Sequence, residues 1–210
     1  YKQNPDNADP APGAFGVADP NAPADNPTLG LQVFYRTPSL RILYVHNSSV
    51  LTGALPDFST NKLLQRVHFA STSMSGMISI NQLAPSGEIL QLLEIFNNNF
   101  DDIDNLFTNE KNIFDRLRKI LLQGNNIDYT IISDQSIKGC PSVNVFNISN
   151  NRFKGDVPNF SGSPNLQECT LANNNITGYD AGSLANNLQL NVLDISNNNL
   201  SVSAGQALLT

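Results

Sequence analysis

The chain has 210 residues, of which 40% are hydrophobic and only 14% are charged, and its formal net charge is -6. This acidic balance argues against a nucleic-acid reader, which needs clustered Lys and Arg to neutralise phosphates. No run of about 18 apolar residues occurs, so no membrane span is predicted.

Residues 1–28 differ in composition from the rest of the chain. Pro, Ala, Asn and Asp dominate them, and neither the helical nor the strand period of apolar residues appears. Pro biases the preceding residue to extended conformations, and Pro-rich chains extend about 3.1 Å per residue. We predict an extended arm with two interpretations. It is either a disordered linker or a segment ordered on a neighbouring subunit, with Phe15 and Val17 as its anchors.

A short alternating stretch follows the arm. In residues 29–39, Leu29, Leu31, Val33 and Tyr35 fall on one face of a period-two pattern. We therefore predict a strand that covers the open end of the first repeat.

Residues 40–210 contain seven copies of one apolar spacing. Each copy has apolar residues at its first, fourth and sixth positions and a small polar residue, usually Asn, at its ninth. The copies begin at Leu40, Leu64, Leu90, Leu117, Val143, Leu166 and Leu190. The distance from the start of one copy to the start of the next lies within the roughly 20–29 residues expected of repeats that stack into a solenoid. We expect the last copy to lack a C-terminal cap.

The spacing predicts one short strand per copy, because the last two apolar positions are two residues apart. A single copy cannot enclose its apolar face, whereas stacked copies form a curved parallel sheet over one continuous core. The polar position ends each strand, and an Asn amide there can satisfy loop backbone groups. The predicted Asn ladder consists of Asn98, Asn125, Asn151, Asn174 and Asn198.

The segments between strands predict a convex side of mixed loops and short helices. Phe100, Ile103 and Phe107 follow near-helical steps, so we predict a helical turn within residues 100–113 and a second one within 127–139. One extra residue between Ser48 and Gly53 predicts a bulge.

Little in the sequence indicates catalysis. No nucleophile motif, phosphate-binding loop or carboxylate pair is present in a recognisable context. His46, His68 and Glu94 fall on adjacent strands, but two His across a sheet without a third close ligand do not predict a metal site. Cys169 replaces a core Leu, and we expect no disulfide with Cys140. The chain is predicted to be non-enzymatic, without cofactor or metal.

The concave sheet face is the predicted binding surface, because its side chains point away from the core. Large aromatic, His and Arg side chains gather in the first three copies, and Tyr and Arg are frequent interface anchors. The candidate binding residues are Tyr44, His46, Arg66, His68, Glu94 and Phe96. The alternative is that these side chains only pack against one another across strands.

The stretches LTGALPDFS, RFKGDVPNFSGSPNLQE, NNNITGYDAGSLA and LDISNNNLS resemble the leucine-rich-repeat family. The resemblance covers residues 40–200. Within it, the Asn-rich coils with their PDFS and NNNxTGY turns are most similar to repeat proteins of the GxIP type from marine bacteriophage virions. The chain also resembles plant receptor ectodomains, although the paired-Cys N-terminal cap of those proteins is absent here. The resemblance implies recognition of a protein or glycan, with no catalytic residues.

Two functions follow from this resemblance as expectations. The first is a virion-associated phage protein, displayed on the virion surface and used for assembly or host recognition, whose arm contacts neighbouring virion subunits. The alternative is an extracellular or cell-surface adhesin or receptor-type ectodomain that binds protein. Both use the concave face.

Overall fold

The computed structural model describes residues 34, 36–104, 106–107, 114–132, 135–137 and 139–208. The predicted arm of residues 1–28, with Phe15 and Val17, therefore lies outside the described residues. The described chain winds as a solenoid in which each coil contributes one strand to a main parallel sheet.

Seven strands form the main sheet, and each pairs in parallel with the next coil's strand. They are β1 (Ile42–Gly53), β2 (Arg66–Ser79), β3 (Leu92–Phe96), β5 (Lys119–Leu121), β7 (Val145–Asn147), β9 (Glu168–Thr170) and β11 (Val192–Asp194). The predicted curved solenoid with about seven strands is thereby confirmed. The predicted bulge is confirmed too, since the register of β1 against β2 shifts between Ser48 and Thr52.

The core lies behind this sheet, where equivalent apolar residues of successive strands stand opposite one another. Val67, Leu93, Ile120, Phe146 and Cys169 occupy the same strand position and are at most 1% exposed. Burying one such Leu, Ile or Phe side chain contributes about 1.5–3 kcal/mol. The repeated spacing therefore stabilises the fold because it aligns these residues into one apolar column.

The convex side carries further strands where helices were predicted. Asn99–Asp104 forms β4 and pairs in parallel with β2, so the predicted helical turn is wrong over these residues. Phe100 and Ile103 are both buried although three residues apart, because the register of the pair shifts between Gly76 and Met77. The extra residue of the bulge places two buried strand residues three positions apart, which is also the spacing of a helix. Residues 108–113 lie outside the described part.

A second convex sheet covers the later coils. It contains β6 (Thr130–Ile131), β8 (Lys154–Asp156) and β10 (Asn175–Gly178), in the order β10-β8-β6. The second predicted helical turn is therefore wrong at β6. The helical elements of the described convex side are the 3-10 helices Ile80–Ser86 and Ala181–Leu184 and helix α1 (Val202–Leu208).

The predicted strand at 29–39 falls partly outside the description, since residues 29–33 and 35 are not described. All four residues that carried the alternation lie outside the description, and the described residues of this segment form a turn. The Thr37 N–H and hydroxyl both donate to the Phe34 carbonyl, at 3.0 and 2.9 Å. Asn61, fully buried, donates from Nδ2 to the carbonyls of Phe34 and Thr37. The turn is thus fastened to the first coil by a side chain rather than by strand pairing.

A ladder of asparagine side chains links successive coils. It consists of Asn98, Asn125, Asn151, Asn174 and Asn198. Asn174 shows the pattern: its Nδ2 donates to the Ile148 carbonyl of the preceding coil and the Leu171 carbonyl of its own coil, both at 3.0 Å. Its Oδ1 accepts from the Phe153 N–H at 2.9 Å. One amide thus binds three backbone groups, and each of the two carbonyls also accepts from a neighbouring ladder residue, Asn151 or Asn198.

The residue before each ladder position has a left-handed backbone, which the sequence analysis missed. Non-glycine residues occupy it in six coils, with φ between 53° and 57°. They are Asn47, Ser71, Asn97, Asn150, Asn173 and Asn197. Gly124 takes the position in the fourth coil with φ 69°. Asn and Gly tolerate this conformation best, which explains why Asn pairs recur along the chain.

Candidate binding surface

Two rows of side chains point outward from the main sheet, in the register set by strand pairing. The strand-start row is Ile42, Arg66, Leu92, Lys119, Val145, Glu168 and Val192. The central row is Tyr44, His68, Glu94, Leu121, Asn147, Thr170 and Asp194. Strands β1, β2 and β3 extend further, so His46, Ala70 and Phe96 continue a third row there.

The structure brings all six candidate binding residues together. We call Tyr44, His46, Arg66, His68, Glu94 and Phe96 the His68 cluster, because the His68 ring lies at its centre. Edge-to-face contacts join the His68 ring to Tyr44 at 5.3 Å, to Phe96 at 5.4 Å and to His46 at 6.2 Å between centroids. Such ring pairs contribute about 0.5–1.5 kcal/mol each beyond their buried area, so they hold the cluster together.

Polar contacts fix the orientation of the same residues. His68 Nδ1 lies 2.8 Å from Glu94 Oε2, and their side chains are only 18% and 16% exposed. A carboxylate only accepts, so Nδ1 carries the proton and donates, which leaves Nε2 of a neutral ring as an acceptor. Arg66 Nη1 donates to the Tyr44 hydroxyl at 3.3 Å. The cluster therefore presents oriented donors and acceptors beside aromatic rings.

The first strand makes the cluster accessible. Tyr44 is 51% exposed, and Ile42, which lies two residues earlier on the same face, is 44% exposed. Ile42 was not among the candidate residues, although its period-two spacing from Tyr44 was visible in the sequence. By contrast Ala70, between His46 and Phe96, is 4% exposed. The open part of the surface is thus centred on Ile42 and Tyr44.

Two of the later coils, the fifth and the seventh, bind polar side chains of the concave face in local turns. Asn147 Oδ1 accepts from the Ser149 N–H at 2.9 Å and from the Ser149 hydroxyl at 2.8 Å. Asp194 accepts in the same way from Ser196, at 3.0 and 2.7 Å. The Ser196 hydroxyl and N–H together lower the pKa of the Asp194 carboxyl. Side chains held in local turns have less capacity to bind a ligand.

The described residues bring together no obvious catalytic groups. Burial, with a smaller effect of Asp115, raises the pKa of the Cys140 thiol to about 12, and burial raises that of Cys169 as well. Neither thiol is therefore an available nucleophile, since the thiolate is the reactive form. Within the described ranges, no group of three His, Cys, Asp or Glu is placed to hold a metal ion.

A cavity of about 210 Å³ opens on the convex side, far from the candidate residues in sequence. It is lined by Asp156, Gly178, Tyr179, Asp180, Ser201, Ser203 and Ala204. Burial and the neighbouring Asp180 carboxylate raise the pKa of Tyr179, so this hydroxyl stays protonated at neutral pH. The cavity offers hydroxyls and carboxylates.

Among the residues that the structure describes, no helix has the length and apolar character that crossing a bilayer requires.

The chain was compared with known proteins. No family model matches it. It is 25% identical over 169 residues to Podocan-like protein 1 of Homo sapiens, covering 79% of this chain and 31% of that protein.

Solved structures match more of the chain. A plant ice-binding protein aligns with a TM-score of 0.64 and 20% identity, covering 82% of this chain and 53% of that one. The Arabidopsis receptor kinase HAESA, in complex with the peptide hormone IDA and a co-receptor, aligns with a TM-score of 0.66 and 21% identity. That match covers 80% of this chain and 27% of the receptor.

A separate structure of the HAESA leucine-rich-repeat ectodomain, bound to an extended form of its peptide hormone, aligns with a TM-score of 0.57 and 22% identity. That match covers 80% of this chain and 31% of the ectodomain. The chain thus spans about a third of the curated relative and between about a quarter and a half of the length of these solved structures. Its architecture is that of a leucine-rich-repeat solenoid.

Proposed function

We propose that this chain is a non-enzymatic binding module of the receptor or adhesin type, which recognises a protein ligand with the concave face of its first three coils. The observation that carries the proposal is the contiguous His68 cluster, with Tyr44 and Ile42 exposed at its edge. The six residues come from three separate strands, and only the stacking of the coils brings them together.

The chemistry of the cluster suits protein recognition. Tyr and Arg are enriched among interface residues whose truncation costs more than about 2 kcal/mol of binding energy. The ring contacts and the His68–Glu94 hydrogen bond orient these groups before a ligand arrives. Orientation in the free protein lowers the entropy lost on binding. A glycan is the alternative ligand, because aromatic faces and hydrogen-bonding groups also suit sugars.

The comparisons support this choice of class. The HAESA receptor kinase shares this fold and was solved in complex with a peptide hormone and a co-receptor. We infer by analogy an extracellular or cell-surface setting for this chain.

A selection against a random peptide library displayed on yeast tests the proposal. Peptides selected on the full chain should lose at least tenfold in affinity for Tyr44→Ala and Phe96→Ala. They should bind Tyr179→Ala, altered on the convex side, as well as the unaltered chain. Selected peptides that bind all three variants equally would overturn the proposal, provided circular dichroism shows each variant folded.

A virion-associated role in a phage is a second proposal. It is supported by the resemblance of the Asn-rich turns to marine phage repeat proteins and by the Pro-rich composition of residues 1–28. Under this proposal the arm contacts a neighbouring virion subunit. Mass spectrometry of purified virions from the source culture tests it, and absence of the chain from them would rule the role out.

A further inference from the structure

The strand-start row alternates strictly between apolar and charged side chains. Odd-numbered coils present Ile42, Leu92, Val145 and Val192, and even-numbered coils present Arg66, Lys119 and Glu168. Ile42 and Val192, at the two ends, are 44% and 45% exposed. The row is therefore a solvent-accessible pattern that repeats every two strands across the whole sheet.

The repeat distance of this pattern discriminates between ligand conformations. Neighbouring strands lie about 4.7–4.9 Å apart, so two strands repeat at about 9.4–9.8 Å. A polyproline II helix repeats every three residues, or about 9.3 Å. Same-face residues of an extended strand recur every 6.6–6.8 Å or so, and an α-helix has a pitch of about 5.4 Å. Of these three conformations, only the polyproline II helix has a repeat close to that of the row. The two repeats differ by about 1 Å after three repeats.

We propose that the concave sheet binds a partner polypeptide in the polyproline II conformation, lying across the strands along the strand-start row. The inference deepens the proposed function and rests on it, since it names the class of protein ligand. Every third residue of the partner faces a charged member of the row. The two residues between them are prolines, which lie to either side of this line and flank the apolar members.

The charges of the row specify the partner further. Arg66 and Lys119 are basic and Glu168 is acidic, so the complementary partner carries acid, acid and base at steps of three residues. None of the three side chains forms an ion pair within the described part of the chain. They are thus available to a partner.

The apolar members complete the match. Ile42 lies beside the exposed Tyr44 ring, and Pro-rich segments dock on surfaces lined by aromatic side chains. Because a polyproline II segment is largely extended before it binds, it loses little conformational entropy on docking. The Ile42 end of the row, next to Tyr44 of the central row, therefore anchors the partner, and the charged members set its register.

Isothermal titration calorimetry of the full chain with synthetic peptides tests the proposal. The first peptide is Pro-rich with Asp, Asp and Lys at steps of three residues, and the second has the same composition with these residues at steps of two. The first should bind at least tenfold more tightly than the second. A third peptide has the sequence of residues 1–12, whose Asp6 and Asp9 are also three apart. If it alone binds, the occupant is the arm of this chain and the proposal is overturned.

A charge reversal fixes the register. Lys119→Glu should weaken the first peptide about fivefold, and replacing the second Asp of the peptide by Lys should restore the affinity. Lys62→Glu, the same change on the turn before β2, should have no effect. Equal binding of the first two peptides, or no response to Lys119→Glu, would overturn the proposal. The proposed function would survive that result if Tyr44→Ala and Phe96→Ala still abolish binding of library-selected peptides.

Discussion

The first three coils and the last four share one core but differ at the concave face. β1 and β2 are 12 and 14 residues long, whereas β5, β7, β9 and β11 have three each. The early strands display connected rings and the His68–Glu94 pair. In the central row, β7 and β11 display Asn147 and Asp194, which accept hydrogen bonds from a serine two residues later in the chain. The repeat thus determines the backbone, and departures in the outward rows create the specific surface.

The largest effect expected is from a charge placed in the shared core. Ile148, fully buried in the central coil, should unfold the protein when changed to Asp, because the buried carboxylate has no partner. We expect a loss of more than about 4 kcal/mol in urea denaturation. Asn147→Asp is the matched control, since an Asp there still accepts both bonds from Ser149. Equal stability of the two variants would contradict the assigned core.

The ladder should be the next most sensitive feature. Asn174→Ala leaves the Phe153 N–H and the Ile148 and Leu171 carbonyls without this partner. Leaving the buried Phe153 N–H unsatisfied, and removing one of the two side-chain donors to each carbonyl, should lower the free energy of unfolding by about 2–4 kcal/mol. Asn173→Ala, one residue earlier and exposed, should lose only about 1–2 kcal/mol, from its positive φ. A larger loss at position 173 would show that the ladder bonds matter less than backbone strain.

Alanine substitutions at two glycines in equivalent repeat positions distinguish the cost of backbone strain from the cost of a steric clash of the added Cβ. Gly76 and Gly155 both have φ 86°, but a Cβ at Gly155 would lie 2.0 Å from the Ile131 carbonyl oxygen. At Gly76 the nearest atom is the Ala54 Cβ at 3.9 Å. Gly76→Ala should cost about 1–2 kcal/mol, and Gly155→Ala at least about 1 kcal/mol more. Identical melting of the two variants would argue against the close approach of β6 and β8.

The smallest stability effect is expected in the His68 cluster itself. Tyr44→Ala removes a half-exposed ring, its contact with His68 and one long hydrogen bond, so the loss should stay at about 0.5–1.5 kcal/mol. Phe69→Ala, on the core side of the neighbouring strand, should cost about 3–5 kcal/mol. Thermal denaturation compares them. A large loss for Tyr44→Ala would mean that the cluster is a structural contact, as the packing alternative holds.

Much of the main sheet was predictable because its apolar residues follow a period of two and its repeats keep phase. That pattern placed His68 beside Glu94 on adjacent strands, although the hydrogen bond between them depends on side-chain torsions that spacing does not encode. The convex strand β4 was mistaken for a helix because a bulge puts Phe100 and Ile103 three residues apart. A bulge depends on pairing with a neighbouring coil that is distant in sequence, and the spacing of nearby residues does not show that pairing.

The left-handed residues were hidden for a different reason. Asn173 and Asn174 are identical in sequence, but one adopts a positive φ while the other joins the ladder. Composition alone does not separate the two roles. The sequence did contain one indication of the left-handed position. The residue before the ladder position is Asn in every later coil except the fourth, where it is Gly124, and both residue types tolerate a positive φ.

The affinity of a library-selected peptide for variants in the two halves of the concave face tests the central claim most directly. The account predicts that Tyr44→Ala weakens binding at least tenfold. It also predicts that Thr170→Ala, in the same row three coils from Glu94, changes binding less than about twofold. Equal losses for both variants, or a greater loss for Thr170→Ala, would contradict the claim that the His68 cluster is the main anchor of recognition.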